Sequence, residues 1–445
     1  MENSIIKKNR LSRFQVIILG FIVVILAGTI ILMLPVSCNS GTVTSFESAL
    51  FTATSAVCVT GLIVEDTATY WSPFGQVVIL ILIQIGGLGV VTVASSIDLA
   101  RGKKLSLEER GLLEDSLSAF QVGGMVKLVR FILRIVIITE AIGALLLMPV
   151  FCMDYGVSGI WMAVFHSISA FCNAGFDLMG AHSGKFSSLT AYSGNPGVII
   201  PICLLIVLGG IGFLTWNDII KHRRNIKKYR MQSKVVLVTT AVLIALPAIL
   251  YFFCEFSGAS FGERIALSLF QAITPRTAGF NTADLTKMTG AGIGLMVVLM
   301  LVGGSPGSTA GGMKTTTLAV LVANALSVIR RKRDVQIFGK RLEESAIRNA
   351  SAILIIYCIL ALASAGLISL MEGLPMKECL FETASAIGTV GITLGITPSL
   401  GVLSHVILIL LMFLGRVGGL TLLYAALSER TVELARRPVE KINVG

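Results

Sequence analysis

Four glycines carry the most suggestive chemistry in this 445-residue chain. Each closes a phrase that opens with Phe and runs through small and hydroxyl-bearing residues: FTATSAVCVTGL from Phe51, FHSISAFCNAGF from Phe165, FQAITPRTAGF from Phe270 and FETASAIGTVGI from Phe381. The glycines Gly61, Gly175, Gly279 and Gly391 stand ten residues after the Phe in three copies and nine in the third, and successive glycines are 114, 104 and 112 residues apart. Such regular spacing marks an internal repeat. No carboxylate lies among the three residues that end each phrase at its Gly, so what the phrase offers is backbone. Carbonyl oxygens facing one axis can replace the water shell of a cation, and Gly suits the task because inward-facing carbonyls need alternating conformations that include positive φ. The four histidines, His166, His182, His222 and His405, are dispersed, with no nucleophile–base pairing or metal-ligand spacing, which argues against an enzyme.

Composition says what must hold these phrases. With 54% hydrophobic residues, 14% charged and a mean hydropathy of +0.86, the chain carries more apolar surface than a soluble core can hide. Its first apolar run, residues 14–34, holds 21 residues without a charge and is long enough to cross a bilayer as a helix. A signal peptide would have a shorter apolar region followed by a small-residue cleavage site. The net charge of +11 does not point to nucleic acid, because no soluble basic face with aromatics is present. Of the 36 Lys and Arg, 29 fall in five clusters: before residue 14 and over 101–134, 221–234, 330–348 and 430–441. These clusters lie between the repeated phrases, so each repeat is expected to leave and return to the cytoplasmic side, with both termini cytoplasmic at the plasma membrane.

One apolar span precedes each phrase and another follows it: 14–34 and 74–97, 127–150 and 196–219, 235–254 and 290–304, 350–371 and 400–425. The stretch holding the phrase, such as 46–56 or 160–171, has about a dozen residues, too few to span and typical of a re-entrant segment. The expected fold is an all-α membrane protein, four pseudo-symmetric helix–pore loop–helix repeats around one central pore. The repeats are 14–97, 127–219, 235–329 and 350–427, between cytoplasmic segments 1–13, 98–126, 220–234, 330–349 and 428–445. The short helices would aim their negative C-terminal ends at the centre, favouring a cation, and Glu65, Asp66, Asp177 and Asp284 would form an attractive outer mouth. The competing architecture is an alternating-access carrier for a small cation or solute, which would place charged or hydrogen-bonding side chains at its central site. The eight cysteines are scattered without a Cys-x-x-Cys spacing and read as packed small side chains.

The second spans share another element. Ile85-Gly86-Gly87-Leu88-Gly89 matches Leu208-Gly209-Gly210-Ile211-Gly212, and the fourth repeat reads Leu414-Gly415-Arg416-Val417-Gly418. An Arg inside a membrane span is a functional candidate, the alternative being a packing Arg paired with a buried carboxylate. The third repeat departs differently: residues 301–317 include Gly303-Gly304-Ser305-Pro306-Gly307-Ser308-Thr309-Ala310-Gly311-Gly312, through which no helix continues. The segment is not a phosphate-binding loop, since Met313 displaces Lys314 by one position and no strand precedes it.

Taken together, the four membrane–pore–membrane repeats, each ending its short helix in a Gly, resemble the Trk/Ktr/HKT superfamily of cation-translocating subunits over nearly the whole chain. The likeness is greatest to the membrane subunits of bacterial Ktr potassium-uptake systems. That resemblance implies K⁺ as the transported ion and no covalent cofactor, and leaves open whether Na⁺ couples to or activates uptake. It implies a homodimer with one pore per protomer, seated on a KtrA-like cytoplasmic ring of nucleotide-binding regulatory subunits. The family's filter positions carry over onto Val59-Thr60-Gly61, Asn173-Ala174-Gly175, Thr277-Ala278-Gly279 and Thr389-Val390-Gly391. Only the last approaches the Thr-Val-Gly of ordinary potassium channels, which implies fewer ordered ion sites and weaker selectivity. The broken region 303–312 matches an intramembrane loop that acts as a gate beneath the filter, and Arg416 stands at the equivalent depth.

Overall fold

The computed structural model describes residues 12–117 and 124–418. The expected N-terminal segment before residue 12, the end of the fourth repeat after 418 and the C-terminal segment 428–445 lie outside the described residues. The first repeat comprises α1 (Arg13–Met33), α2 (Phe46–Val57), α3 (Pro73–Leu88) and α4 (Val90–Ala100), followed by α5 (Leu107–Leu117). The second comprises α6 (Met125–Tyr155), α7 (Ser158–Cys172), the short α8 (Gly180–Ser183), α9 (Pro196–Gly210) and α10 (Phe213–His222). In the third are α11 (Met231–Cys254), α12 (Phe261–Ile273), α13 (Gly290–Leu301) and α14 (Thr315–Ile329). A two-stranded hairpin, β1 (Gln336–Ile337) and β2 (Lys340–Arg341), precedes the fourth repeat of α15 (Glu344–Glu372), α16 (Met376–Ile387) and α17 (Val402–Val417). The hairpin turns on Phe338 and Gly339, both at positive φ, and is the one pair of β-strands among the described residues, beside the isolated bridges Cys38–Trp71 and Val302–Met313.

The first spans α1, α6, α11 and α15 are unbroken apolar helices, and only 22–33% of their most apolar windows is buried. Leu19, Val23, Leu26 and Ile30 on α1 are exposed, as a lipid-facing surface requires. The short helices α2, α7 and α16 are the reverse, burying most of their residues although rich in Ser, Thr and Ala. Small side chains occupy the centre because four helix ends must converge there.

The second spans are bent. Residues 74–97 and 196–219 read as single apolar spans in the sequence, and in the structure α3 and α4 meet at 97°, and α9 and α10 at 98°. The turns fall at Gly89 and Gly212, both at φ 86°, and Gly418 at φ 93° ends α17 in the same way. In the third repeat α13 stops at Leu301 and α14 starts at Thr315, as the Gly- and Pro-rich segment predicted. Breaking is thus common to the second spans of the first three repeats. Apolar composition hid the first two turns, since hydropathy does not register a single positive φ.

In the first, second and fourth repeats, a glycine near the end of the second span lets it touch its own short helix backbone to backbone. A methyl group on Gly86 would lie 2.1 Å from Val57 O, on Gly209 1.9 Å from Phe171 O, and on Gly415 2.1 Å from Ile387 O. Gly210, the next residue along, faces open space. Gly209→Ala should therefore lower stability by roughly 1–3 kcal/mol through overpacking, whereas Gly210→Ala should be near neutral. Thermal unfolding of the two variants in detergent checks this, and equal melting temperatures would contradict it.

Candidate functional site

The four phrases meet in a closed ring. A methyl on Gly61 would lie 2.4 Å from Ala174 O, on Gly175 2.8 Å from Ala278 O, on Gly279 2.5 Å from Val390 O and on Gly391 2.0 Å from Thr60 O. Each glycine thus abuts the carbonyl of the middle phrase residue in the next repeat, and the fourth returns to the first. The glycines have φ of 88°, 71°, 83° and 92°, and the residues two places earlier, Val59, Asn173, Thr277 and Thr389, have φ of 56°, 60°, 75° and 51°. Those four are non-Gly residues in a left-handed conformation that costs on the order of 1 kcal/mol or more each, so the surrounding packing must enforce it. The backbone alternates as inward-facing carbonyls require. The hydroxyls of Thr60, Thr277 and Thr389 are buried with no hydrogen-bond partner among the described residues.

One hydroxyl per repeat, which the sequence reading did not single out, pins the ring. Ser55 Oγ accepts from Gly61 N and Ser385 Oγ from Gly391 N, both at 3.0 Å. Ser169 Oγ instead donates to Phe176 O at 2.7 Å and Thr274 Oγ1 to Phe280 O at 2.5 Å. The repeats pair as one with four and two with three. In three repeats the middle residue's N–H reaches back five residues (Thr60 to Ser55, Ala174 to Ser169, Val390 to Ser385), while Ala278 reaches back four to Thr274, which absorbs the residue missing from the third phrase. In three repeats the residue after the opening Phe also braces the outgoing strand: His166 Nε2 accepts from Leu178 N, Gln271 Nε2 donates to Asn281 Oδ1, and Glu382 accepts from Thr393 and Thr397. The only signal for these was their recurrence at fixed offsets.

Beneath the ring lies the loop between α13 and α14. Its neck is closed by Gly303 N to Met313 O (2.7 Å) and Thr315 N to Gly304 O (3.0 Å). Ser305 N and Thr309 N donate to Gly210 O and Gly209 O at the end of α9, and Gly307 O accepts from Phe213 N. Ser308 Oγ turns back to Ser305 O, Ser305 Oγ meets Thr315 Oγ1, and Pro306 O faces Gly212. Lys314 Nζ donates to Ala310 O and Gly311 O, which caps the loop from within. Two contacts join loop to ring. Thr309 Oγ1 accepts from Asn173 Nδ2 and donates to Phe171 O, both at 2.9 Å, and a methyl on Gly311 would lie 2.2 Å from Thr389 Oγ1.

Arg416 completes the layer. Its Nη1 donates to Thr309 O and its Nη2 to Gly86 O and Gly87 O, the last at 3.1 Å. Its partners are carbonyls rather than the carboxylate of the packing alternative, and the guanidinium sits where the negative end of α3 favours a cation. Gly312 N donates to Gly415 O beside it. A cavity of about 310 Å³ opens on the far side of the loop, lined by Arg416, Lys314, Ser308, Gly312, Gly87 and Asp115 among others.

The expected acidic mouth is largely structural. Asp66 is 5% exposed and accepts from Thr69 N, Thr69 Oγ1 and Phe186 N, tying the first repeat to the second. Asp177 accepts from Met179 N. Asp284 is bonded by Thr286 and paired with Lys287 at 3.0 Å, which together hold its carboxyl below the usual range. Burial pushes the Glu65 carboxyl up while Lys185 pulls it down. Asp66 is thus committed to a neighbouring loop, and Asp177 and Asp284 to their own.

Comparison with known proteins agrees with this architecture. Residues 3–433 match the family described as TrkH, cation transport protein. The chain is 38% identical over 450 residues to the potassium/sodium uptake protein NtpJ of Enterococcus hirae, covering 98% of each. It is 38% identical over 431 residues to the Ktr system potassium uptake protein B of Bacillus subtilis, covering 95% of each. Its fold resembles the crystal structure of the potassium transporter TrkH from Vibrio parahaemolyticus with a TM-score of 0.73 at 18% identity, over 95% of this chain and 86% of that one.

The unequal approaches around the ring rank its members. Replacing each glycine in turn with Ser should reduce the discrimination among monovalent cations, most at Gly391, where the intruding atom would lie 2.0 Å from Thr60 O, and least at Gly175. Competition uptake assays with paired cations give the order, and unchanged preference in all four variants would remove the ring from the selective site.

Proposed function

The chain belongs to the TrkH family of cation transport proteins, and from that premise we propose that it takes up K⁺ through a channel-like pore whose filter is the glycine ring. The observation that carries this reading is the closure of the ring: each glycine abuts the preceding carbonyl of the next repeat, leaving oxygens rather than charged side chains at the centre. Carbonyl and unpartnered hydroxyl oxygens suit a weakly hydrated monovalent cation. Na⁺ enters as a second permeant, coupling or activating ion, which the name of the Enterococcus relative supports. The carrier reading has less to draw on, because the ring presents backbone.

The loop 303–312 and Arg416 are the gate in this reading. The loop closes the path physically, and the guanidinium repels cations just beyond the filter. Thr309 touches both the filter residue Asn173 and Arg416, so a shift of the loop changes ring and barrier together. The Bacillus relative, named as protein B of a Ktr system, supports a working unit with further subunits, for which we propose a homodimer on a cytoplasmic nucleotide-binding ring. Arg416→Ala, or deletion within 303–312, should raise ion flux and weaken its dependence on that partner. Flux into liposomes tests both levels: saturation at carrier rates would favour alternating access, and unchanged flux and regulation in both variants would reduce loop and Arg to packing features.

Topology follows from the placement of the basic clusters. Cysteines introduced at Ser40, Ser187 and Ser399, in a background cleared of accessible native thiols, should react with an impermeant reagent applied outside cells. Labelling at Asn225 instead would invert the orientation.

A further inference from the structure

Away from the pore axis, one side chain joins the first repeat to the last on the face opposite the basic clusters. His405, in the first turn of α17, is 3% exposed and lies between two oxygens. Its Nδ1 is 2.6 Å from Glu47 Oε1 in the first turn of α2, and its Nε2 is 2.9 Å from Thr397 O. A carbonyl cannot donate a hydrogen bond, and an ionised carboxylate cannot either. A neutral imidazole has one N–H and one lone pair, so against these acceptors it can make one bond but not both. Both close only when the pair carries one extra proton, on the second ring nitrogen or on the Glu47 carboxyl. Glu47 is 34% exposed, which gives that proton a route to solvent.

The contact does not end at Thr397. Thr397 Oγ1 donates to Glu382 Oε2 at 2.9 Å, and the other oxygen of this buried carboxylate accepts from Thr393 Oγ1, two residues past Gly391. A continuous line therefore runs from the short helix of the first repeat to the strand leaving the ring in the fourth. The charged groups that face His405 are Glu47 from α2, Glu372 from the end of α15 and, through Thr397, Glu382 from α16. Glu372 is held by Ser404 Oγ (2.6 Å) and Gly401 N (2.9 Å) and interacts electrostatically with the imidazole. The Phe51 ring stands edge-on at 5.1 Å.

We propose that Glu47 and His405 form a proton-dependent clasp that positions the outgoing strand of the fourth repeat, so that the pore's cation preference depends on the pH of that face. The inference rests on the pore reading above. With the extra proton present both bonds hold. As pH rises and the proton leaves, one of the two opens, and Thr397 is no longer fixed to α2.

The test uses the full chain in a planar bilayer with the pH of the two faces set independently between about 5 and about 8. For the native protein, the preference for K⁺ over Na⁺ should fall severalfold as the Glu47 face is made alkaline, and should not respond to the other face. Glu47→Gln should keep the acid-side preference at every pH, because its amide N–H donates to Nδ1 of a neutral imidazole whose Nε2–H stays on Thr397 O. His405→Gln, which cannot span both partners, should be fixed at the alkaline-side preference. If it does not fold, Glu47→Gln decides alone. A brace without proton dependence would change the preference while leaving its pH profile intact. A flat native profile, or a native profile retained in Glu47→Gln, overturns the clasp, whereas absence of K⁺ flux from the native protein at every pH overturns the pore reading instead.

Discussion

A backbone carbonyl released inside a membrane must find a donor, and much of this architecture answers that requirement. Each unsatisfied group in hydrocarbon costs several kcal/mol, so a span can break only where something supplies its missing hydrogen bonds. The turn at Gly212 frees Gly209 O and Gly210 O, which take the N–H groups of Thr309 and Ser305. The turn at Gly89 frees Gly87 O, which takes the Arg416 guanidinium, as does Gly86 O beside its bond from Gly89 N. Gly415 O, near the end of α17, takes Gly312 N. The loop and the Arg are therefore not additions to a finished bundle. They are the donors that let three neighbouring spans stop at one depth, and removing either leaves carbonyls to be satisfied by water.

That requirement explains why the centre is small and hydroxylated while the periphery is large and apolar. Lipid supplies no hydrophobic drive between helices, so close packing and hydrogen bonds must hold the inner layer together. Gly86, Gly209 and Gly415 bring the second spans to within touching distance of the short helices, and Ser55, Ser169, Thr274 and Ser385 fasten the strands that leave them. The left-handed residues before the glycines are held by this fastening. Val59 would not choose φ 56° by itself, but the bonds on either side of it leave no alternative.

The parts that were legible in the sequence are those whose chemistry admits few residue types. Only Gly serves at a crowded backbone position of positive φ, so the ring could be found by spacing, and the break after Leu301 announced itself through five glycines and a proline. Spans follow hydropathy, but the turns at Gly89 and Gly212 were invisible because a glycine in an apolar run more often marks helix packing than a bend. Val59, Thr277 and Thr389 argue locally against the conformation they adopt. The acidic residues past the glycines suggested an attractive mouth, but Asp177 and Asp284 are bonded within their own loops, and Asp66 also accepts from Phe186 N, 120 residues away. No periodicity encodes a contact such as Glu47 with His405, which are 358 residues apart.

The third phrase is one residue shorter than its siblings, one second span unravels into a loop, and one glycine has become Arg416. Such individuality is possible only because four quarters of the ring are covalently joined in a single translation product. A tetramer of identical subunits would repeat every irregularity fourfold, crowding four loops and four guanidiniums onto one axis at mutual distances where like charges repel strongly. Here each quarter can drift alone. A single substitution alters one wall of the conduit and spares the other three, so evolution can adjust permeation in small steps that a symmetric assembly would take all at once.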